Sequence, residues 1–275
     1  MSQRLQASIR AGQRHAPSGQ LLPALAPYVT AGDGGLDRTL AVLHALESAG
    51  AACVELGLPF SDPIADGPHL QAAAERALEA GTTPAGVLEL VRRFRSAGGA
   101  LPILLFSYTN PLFVGLGGFS AAAAALAAAG GDGFIVPDLP PEEAGELRDA
   151  CAEHGLGTVF FATPTSSDAR IRAAAEASTG FLYAIGRVGI TGARTTFDPE
   201  VLTWLDRVRD LAGETPLAVG FGVADGAAVA ALGGHCDLAI SGTALVRALH
   251  DAGGTPEDAA RVATAFTTAL GAGAP

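Results

Sequence analysis

Lysine is absent from the 275-residue chain, because all 17 of its basic residues are arginine. A Schiff base with a carbonyl substrate and covalently held pyridoxal phosphate both need a lysine amine. The missing lysine therefore excludes a lysine-dependent aldolase. Any anionic group that the protein binds must rely on arginine or on backbone N–H donors.

Cysteines, aromatic residues and long apolar runs are also scarce. The three cysteines, Cys53, Cys151 and Cys236, are widely spaced, which indicates neither a disulfide framework nor a zinc site. Aromatic residues make up 6% of the chain, so the core must be filled mainly by small and aliphatic side chains. No apolar run is long enough to span a bilayer and the N-terminus lacks the apolar part of a signal peptide, so we expect a cytoplasmic protein.

Positive charge is in deficit, since the formal net charge is −11. A field of this sign steers the chain toward neither nucleic acid nor an anionic membrane surface, so we expect neither as a partner. We expect a small-molecule substrate.

Short β-rich runs alternate with longer helical stretches along the whole chain, and no linker marks a boundary. We therefore predict one domain over residues 1–275, with a barrel over about 20–268. The predicted strands are 25–30, 52–58, 102–107, 133–137, 157–162, 180–185, 216–219 and 236–241. The predicted helices are 2–12, 36–49, 69–80, 84–97, 119–129, 142–153, 167–177 and 225–231, with a short one at 244–249.

Eight strands alternating with helices over about 250 residues are typical of an α/β protein with a (β/α)8 or TIM barrel. The helix over 2–12 would then be an extra N-terminal helix. An open doubly wound sheet is the competing topology. Against it, no GxGxxG motif follows the first predicted strand.

Acidic residues mark the second predicted strand and the loop after it. By period-two alternation Cys53, Glu55 and Gly57 face one way, so Glu55 points into the barrel. A carboxyl group held among apolar neighbours has a raised pKa, which suits proton transfer near neutral pH. A structural Glu55 satisfied by backbone donors is the alternative, and for Asp62 we favour a role in ordering the loop.

The carboxyl ends of barrel strands carry catalytic groups, so Glu55 and Asp66 can face one space, and Asp33 follows the first strand in the same way. One acid can transfer a proton while the other holds a polarised N–H or O–H. A metal-bridging acid cluster is a further alternative, but only His69 lies near these acids, so we expect no metal.

Three glycine-containing turns come late in the chain, at 189–194, 220–222 and 241–243. The last two follow the seventh and eighth strands, where barrels commonly bind phosphate against backbone N–H groups and a helix N-terminus. The first turn carries Thr191 between two glycines, which suits a lid; an ordinary solvated loop is the alternative.

Aromatic residues are few, yet most fall within or just after predicted strands. They either fill the core or form a flat slot for a ring, with a carboxylate to meet a ring N–H. The residues concerned are Tyr28, Phe106, Tyr108, Phe161, Tyr183 and Phe221.

These segments resemble the alpha chain of tryptophan synthase, and the resemblance runs from about residue 20 to 250. The most specific segment is 54–68, with Gln71. The other matching segments are 27–33, 108–111, 133–143, 189–194, 220–222 and 240–243.

The resemblance implies a lyase that cleaves indole-3-glycerol phosphate to indole and glyceraldehyde 3-phosphate in L-tryptophan biosynthesis. Glu55 matches the general acid/base of the family, and Asp66 matches the group that binds the indole N–H. Thr191 matches the residue that orients Asp66. The phosphate cradle would be Gly192, Gly222, Gly242 and Thr243, and the indole slot Tyr28, Phe106, Ile135, Tyr183, Phe221 and Ile240, with Tyr108 at its mouth.

The resemblance also implies an alpha2-beta2 complex with a beta chain that carries pyridoxal phosphate, so no cofactor is expected in this chain. The matching contact residues are Asp62, Pro63, Asn110, Asp138 and Pro140. This chain departs from the family where Gly34 replaces the usual Pro, where Thr243 replaces the commoner Ser, and at 115–118, which lack the usual charges. These departures leave open a free-standing lyase that releases indole, and a non-catalytic phosphate-binding barrel is the third hypothesis.

Overall fold

The computed structural model describes residues 3–16, 18–186 and 197–272. Eight parallel strands form a closed barrel in which each strand pairs with the next, and the eighth pairs with the first. Closure between the last and first strands excludes the open doubly wound sheet. The strands are β1 (Ala24–Thr30), β2 (Val54–Gly57), β3 (Ile103–Phe106), β4 (Gly133–Ile135), β5 (Gly157–Ala162), β6 (Leu182–Ala184), β7 (Leu217–Val219) and β8 (Leu238–Ser241).

Helices surround the barrel throughout the described part of the chain. They are α1 (Gln3–Gly12), α2 (Leu36–Ser48), α3 (Pro68–Glu79), α4 (Pro84–Ser96), α5 (Phe119–Ala129), α6 (Gly145–Glu153), α7 (Asp168–Ala177), α8 (Pro199–Ala212), α9 (Gly226–Ala231), α10 (Thr243–Asp251) and α11 (Pro256–Ala272). A π-helical turn spans Pro111–Gly115, and Arg14–His15 pairs antiparallel with Leu21–Leu22. None of these helices is both long and apolar enough to cross a membrane.

The predicted barrel is confirmed, and every predicted strand lies within two residues of an observed one at each end. The helices α8 and α11 were not predicted, nor were the antiparallel pair and the π-helical turn. The extent of the domain stays a prediction.

The apolar core has two layers, because side chains alternate between the barrel interior and the surrounding helices. On β2, Val54 and Leu56 belong to the layer that packs against the helices, whereas Cys53 belongs to the interior layer. Leu5 and Ile9 of α1 also pack into the interior layer. The extra N-terminal helix therefore covers one end of the barrel.

An ionic cluster fixes α1 to the same end. The buried carboxylate of Asp132 accepts hydrogen bonds from Arg4 at 2.8 Å, from Arg95 at 3.1 Å and from the Ile103 N–H at 2.8 Å. A buried carboxylate needs such partners, because an unpaired charge there costs several kcal/mol. The closed end leaves the carboxyl ends of the strands as the mouth of the barrel.

Four helices in the described part of the chain begin with a side-chain cap, whereas α10, like α2, α3, α5 and α6, does not. Thr83, Ser167, Asp198 and Asp225 accept hydrogen bonds from the first turns of α4, α7, α8 and α9. Gly242 precedes α10 and has no side chain to offer. The first N–H groups of α10 are therefore left for another acceptor.

Candidate active site

Glu55 lies in the middle of β2, in register with Tyr28 on β1 and Leu104 on β3. Its side chain is buried and accepts a hydrogen bond from the Tyr183 hydroxyl on β6, across the barrel. The inward orientation predicted from alternation is therefore confirmed. The buried Oε1 atom of Glu55 has no hydrogen-bond partner.

Burial raises the pKa of Glu55 well above its ordinary value, the hydrogen bond from Tyr183 opposes this rise, and the negative charge of Asp66 adds to it. Desolvation is the largest of these causes, because a charged carboxylate in an apolar interior loses its hydration. Burial therefore favours the protonated form of the Glu55 carboxyl.

Asp66 lies in the loop between β2 and α3, and it is half-buried. Burial raises the pKa of Asp66 to about 6, opposed by a hydrogen bond from the Tyr108 hydroxyl. The same hydroxyl accepts the Ala65 N–H at 3.0 Å, and Gln71 donates to the Asp66 carbonyl at 2.8 Å. These bonds fix the loop. With a pKa of about 6, Asp66 is mainly ionised at neutral pH.

An aromatic wall runs from Tyr28 to Tyr108. The Tyr28 and Phe106 rings meet edge to face at 5.6 Å between centroids, and Phe106 meets Tyr108 in the same way at 6.4 Å. The Tyr28 ring lies over Gly57, where a Cβ atom would come within 2.2 Å of the hydroxyl. Glycine at position 57 therefore makes room for this ring beside Glu55.

The opposite wall is formed by Tyr183, whose ring lies 5.1 Å from that of Phe161 and over Gly220. Ile135 and Ile240 belong to the same interior layer. The structure therefore brings together Tyr28, Phe106, Tyr108, Ile135, Tyr183 and Ile240 around the two acids.

Phe221 is placed differently. Its ring contacts are with Phe197 at 5.7 Å and Trp204 at 6.4 Å, and it belongs to the layer that packs against the helices. Strand alternation explains this, since Val219 also faces the helices and residues 219 and 221 share a face. The structure does not bring this ring into the aromatic walls.

The glycine turns after β7 and β8 are at the mouth. Gly222 has a φ of 71°, which favours glycine, and Gly242 precedes α10 with Thr243 exposed as its first residue. A helix N-terminus without a side-chain cap attracts anions through its N–H groups and dipole. The turns can hold a phosphate group. Thr191 and Gly192 lie outside the described residues.

Comparison with known proteins decides the family. Residues 18–273 match the family described as tryptophan synthase alpha chain. This chain belongs to the tryptophan synthase alpha chain family. The resemblance that the sequence motifs indicated is thereby confirmed.

Individual relatives agree along most of the chain. The tryptophan synthase alpha chain of Xanthomonas euvesicatoria pv. vesicatoria is 44% identical over 84% of this chain and 85% of its own. That of Chloroflexus aurantiacus is 44% identical over 90% of this chain and 91% of its own. A solved structure of Mycobacterium tuberculosis tryptophan synthase has a TM-score of 0.83 at 34% identity, covering 99% of this chain and 98% of that one. A structure of the tryptophan synthase α2β2 complex from Pyrococcus furiosus has a TM-score of 0.83 at 35% identity, covering 90% and 97%.

The five residues that the tryptophan synthase resemblance assigned to a partner lie in the loops after β2, β3 and β4. Asp62, Asn110 and Asp138 are exposed, and Pro63 and Pro140 are half-buried. The Asp138 carboxylate accepts the Thr109 N–H at 3.0 and 3.1 Å, which ties two of these loops together.

Three apolar side chains on the same rim were missed in the sequence. Ile64 and Val114 are each 81% exposed, and Phe113 is 46% exposed. Apolar residues within a loop rich in Pro and Asp, and beside glycines, are the signal that could have found them. Exposed apolar side chains grouped in this way are typical of an interaction surface.

Asp33 does not join the two acids of this tryptophan synthase alpha chain. Both of its carboxylate oxygens accept from Arg76, at 2.8 and 2.7 Å, in a two-pronged ion pair. Two parallel hydrogen bonds fix the orientation of the arginine relative to the carboxylate. Asp33 therefore anchors the loop after β1 to α3.

Proposed function

We propose that Glu55 and Asp66 carry out the reaction of this tryptophan synthase alpha chain, the cleavage of indole-3-glycerol phosphate to indole and glyceraldehyde 3-phosphate. The observation that carries the proposal is the pairing of a buried, inward-facing carboxyl of raised pKa with a second acid that ionises near pH 6. Two acids whose environments separate their protonation states can take the roles of acid and anion.

Glu55 gives and then takes one proton. Its carboxyl donates the proton to the indole ring carbon that bears the glycerol chain, which turns the ring into an indoleninium cation. The bond from this carbon to the side chain then breaks, and its electron pair restores the aromatic ring. The neighbouring hydroxyl becomes the aldehyde of glyceraldehyde 3-phosphate as its proton returns to the Glu55 carboxylate.

Asp66 stabilises the cation. An ionised carboxylate that accepts the ring N–H interacts more strongly with the protonated ring than with the neutral one, so it lowers the barrier. The Tyr108 hydroxyl holds this carboxylate, and burial keeps water from screening it. By the family resemblance Thr191 would assist when substrate is bound.

The remaining substrate groups have matching surfaces. The ring fits between the walls formed by Tyr28, Phe106 and Tyr183, with Ile135 and Ile240 in the same layer. The chain has no lysine to bind the phosphate, so backbone N–H groups must do so. Those at Gly222, Gly242 and Thr243 lie at a helix N-terminus and its neighbouring turn, which suit an anion. Gly192 belongs to this cradle by resemblance alone.

A beta chain is the proposed partner in an alpha2-beta2 complex. The rim that carries Asp62, Pro63, Asn110, Asp138 and Pro140 also exposes Ile64, Phe113 and Val114, so a docked chain would bury apolar area there. Pyridoxal phosphate would be in that partner, and this chain would work without a cofactor. The three cysteines are free and buried, which fits the cytoplasm.

The test is the release of indole from indole-3-glycerol phosphate, measured with and without a beta chain. Release that rises steeply on mixing, together with a complex on gel filtration, supports the subunit; a Val114→Asp variant should lose the rise and keep the basal rate. Release that is unchanged on mixing, with no complex, supports a free-standing lyase. No release in either case contradicts the lyase reading and leaves a phosphate-binding barrel.

A further inference from the structure

Arg38 on α2 is a buried arginine without a carboxylate partner. It is 7% exposed, and within the described segments no carboxylate lies at ion-pair distance from it. Its Nη1 atom donates to the Asp33 carbonyl at 3.0 Å, and its Nη2 atom donates to the Leu249 carbonyl. A buried guanidinium that donates hydrogen bonds only to backbone carbonyls holds those carbonyls in place.

The Leu249 carbonyl belongs to the last turn of α10, which ends at Asp251. Carbonyls in the last turn have no partner within the helix, and a cation there also meets the negative end of the helix dipole. Arg38 therefore caps α10 from another helix. The opposite end of this helix, about 13 Å away, presents the uncapped N–H groups at Gly242 and Thr243.

Gly34 makes this cap possible. A Cβ atom at position 34 would lie 2.7 Å from the Arg38 Cδ atom and 3.1 Å from Nη1. The φ of Gly34 is 80°, which proline cannot adopt. The departure from the usual Pro at this position and the buried arginine thus form one structural unit.

The same loop joins α10 to the side of the site that carries Asp66. Asp33 offers its carbonyl to Arg38 and its carboxylate to Arg76 of α3, the helix that follows the Asp66 loop. A continuous set of bonds therefore runs from α3 through the loop after β1 to α10.

We propose that Arg38 is a positioning residue that sets α10, and with it the phosphate cradle, relative to Asp66 and the aromatic walls. The inference rests on the proposed function, because the cradle is assigned there. A helix that carries the cradle and is no longer capped can shift, and shifts of about 1 Å in a substrate-holding group can cost up to a hundred-fold in rate. The loss should fall on phosphate binding.

The experiment compares Arg38→Met with Arg93→Met by steady-state cleavage of indole-3-glycerol phosphate. Arg93 lies on α4 and pairs with Asp37, the neighbour of Arg38 on α2. It is exposed and does not reach α10, so its variant is a matched control. The Arg38→Met variant should raise KM about ten-fold or more with a smaller change in kcat. Glycerol 3-phosphate should lose affinity as an inhibitor by the same factor, whereas indole-3-propanol, which has the ring but no phosphate, should change less than two-fold.

A rescue variant separates positioning from folding. Arg38→Lys keeps the charge and one donor toward Leu249. Its KM should therefore lie between those of Arg38→Met and the native chain, and so should its affinity for glycerol 3-phosphate. If Arg38→Met fails to fold, Arg38→Lys replaces it in the comparison with Arg93→Met. The expected changes in KM and in inhibitor affinity are then in the same direction but smaller. The inference is overturned if KM is unchanged in a folded Arg38 variant. It is also overturned if the affinities for glycerol 3-phosphate and for indole-3-propanol fall by the same factor.

The coupling with Gly34 gives a second readout. Gly34→Ala should lower the thermal midpoint more in the native chain than in an Arg38→Ala background, because alanine lacks the Cδ atom that a Cβ atom at position 34 would meet. Equal decreases of the midpoint in the two backgrounds would overturn the coupling. Failure of the proposed function looks different, because the native chain itself would then release no indole.

Discussion

The Tyr183 hydroxyl on β6 donates a hydrogen bond to the carboxyl of Glu55 on β2, on the opposite side of the barrel. Both side chains are buried, and Gly220 makes room for the tyrosine ring, since a Cβ atom there would lie 1.9 Å from it. The bond fixes the direction of one Glu55 oxygen and leaves Oε1 without a partner. In the proposed reaction, this unpaired oxygen would exchange the proton with substrate.

Replacing Tyr183 with Phe should therefore raise the pKa of Glu55 further, because the hydrogen bond that lowers it is removed. We expect kcat to fall about ten-fold or more, with the alkaline limb of the pH–kcat profile moved to higher pH. Phe161→Leu, which alters a ring neighbour of Tyr183 without removing the hydroxyl, is the control. An alkaline limb that stays in place would argue against the bond.

Glu55→Gln should stabilise the folded chain above pH 5. Burial raises the pKa of Glu55 in the folded state, so the folded chain binds more protons than the unfolded chain, and stability falls as pH rises above the unfolded value of 4.5. The Gln variant escapes that loss, and its thermal midpoint should exceed that of the native chain by a few degrees at pH 8 and by less at pH 5. Glu89→Gln, at an exposed site, should show no such pH dependence. A gain that is equal at both pH values would contradict the assigned protonation state.

Asp66 should set the acid limb of the activity profile. Burial raises its pKa to about 6, so the carboxylate that we propose as the acceptor of the ring N–H is lost as pH falls through that value. We expect kcat/KM to drop roughly ten-fold per pH unit below 6. Tyr108→Phe removes a bond that lowers this pKa and should move the limb to higher pH, whereas Asp66→Asn should abolish it along with most of the activity. A limb unchanged in the Tyr108→Phe variant would count against this assignment.

The Asp132 cluster should matter for stability and not for chemistry. Asp132→Ala leaves Arg4 and the buried part of Arg95 without their shared carboxylate, and losing one partner of a buried ion pair costs about 3–5 kcal/mol. Urea unfolding should show this loss, with kcat unchanged at temperatures where the variant is folded. Asp258→Ala, on the surface, is the control and should shift the urea midpoint much less. A large fall in kcat for folded Asp132→Ala would place the cluster in the catalytic machinery.

The position of Glu55 could be predicted because alternation along one strand decides which side chains face inward. The same rule applied to residues 219–221 would have turned Phe221 toward the helices, but that residue was assigned by resemblance. The helix α8 was missed although Asp198 and Pro199 are typical of a helix start.

Contacts between distant segments could not be predicted from the sequence. The bond between Tyr183 and Glu55 depends on closure of the barrel, which brings β6 opposite β2. The cap from Arg38 to Leu249 joins residues 211 positions apart. Local patterns predict elements and faces, whereas the pairing of side chains across a barrel follows from its assembled geometry.

The most direct test of the central claim, that Glu55 moves the proton, is the rate of indole release by Glu55→Gln in the presence of a saturating beta chain. Gln keeps the shape and the acceptor for Tyr183 but cannot give and retake a proton. We predict a loss of about 10²–10⁴-fold in kcat with the variant still folded and still binding glycerol 3-phosphate. A rate within a few-fold of the native chain would contradict the account.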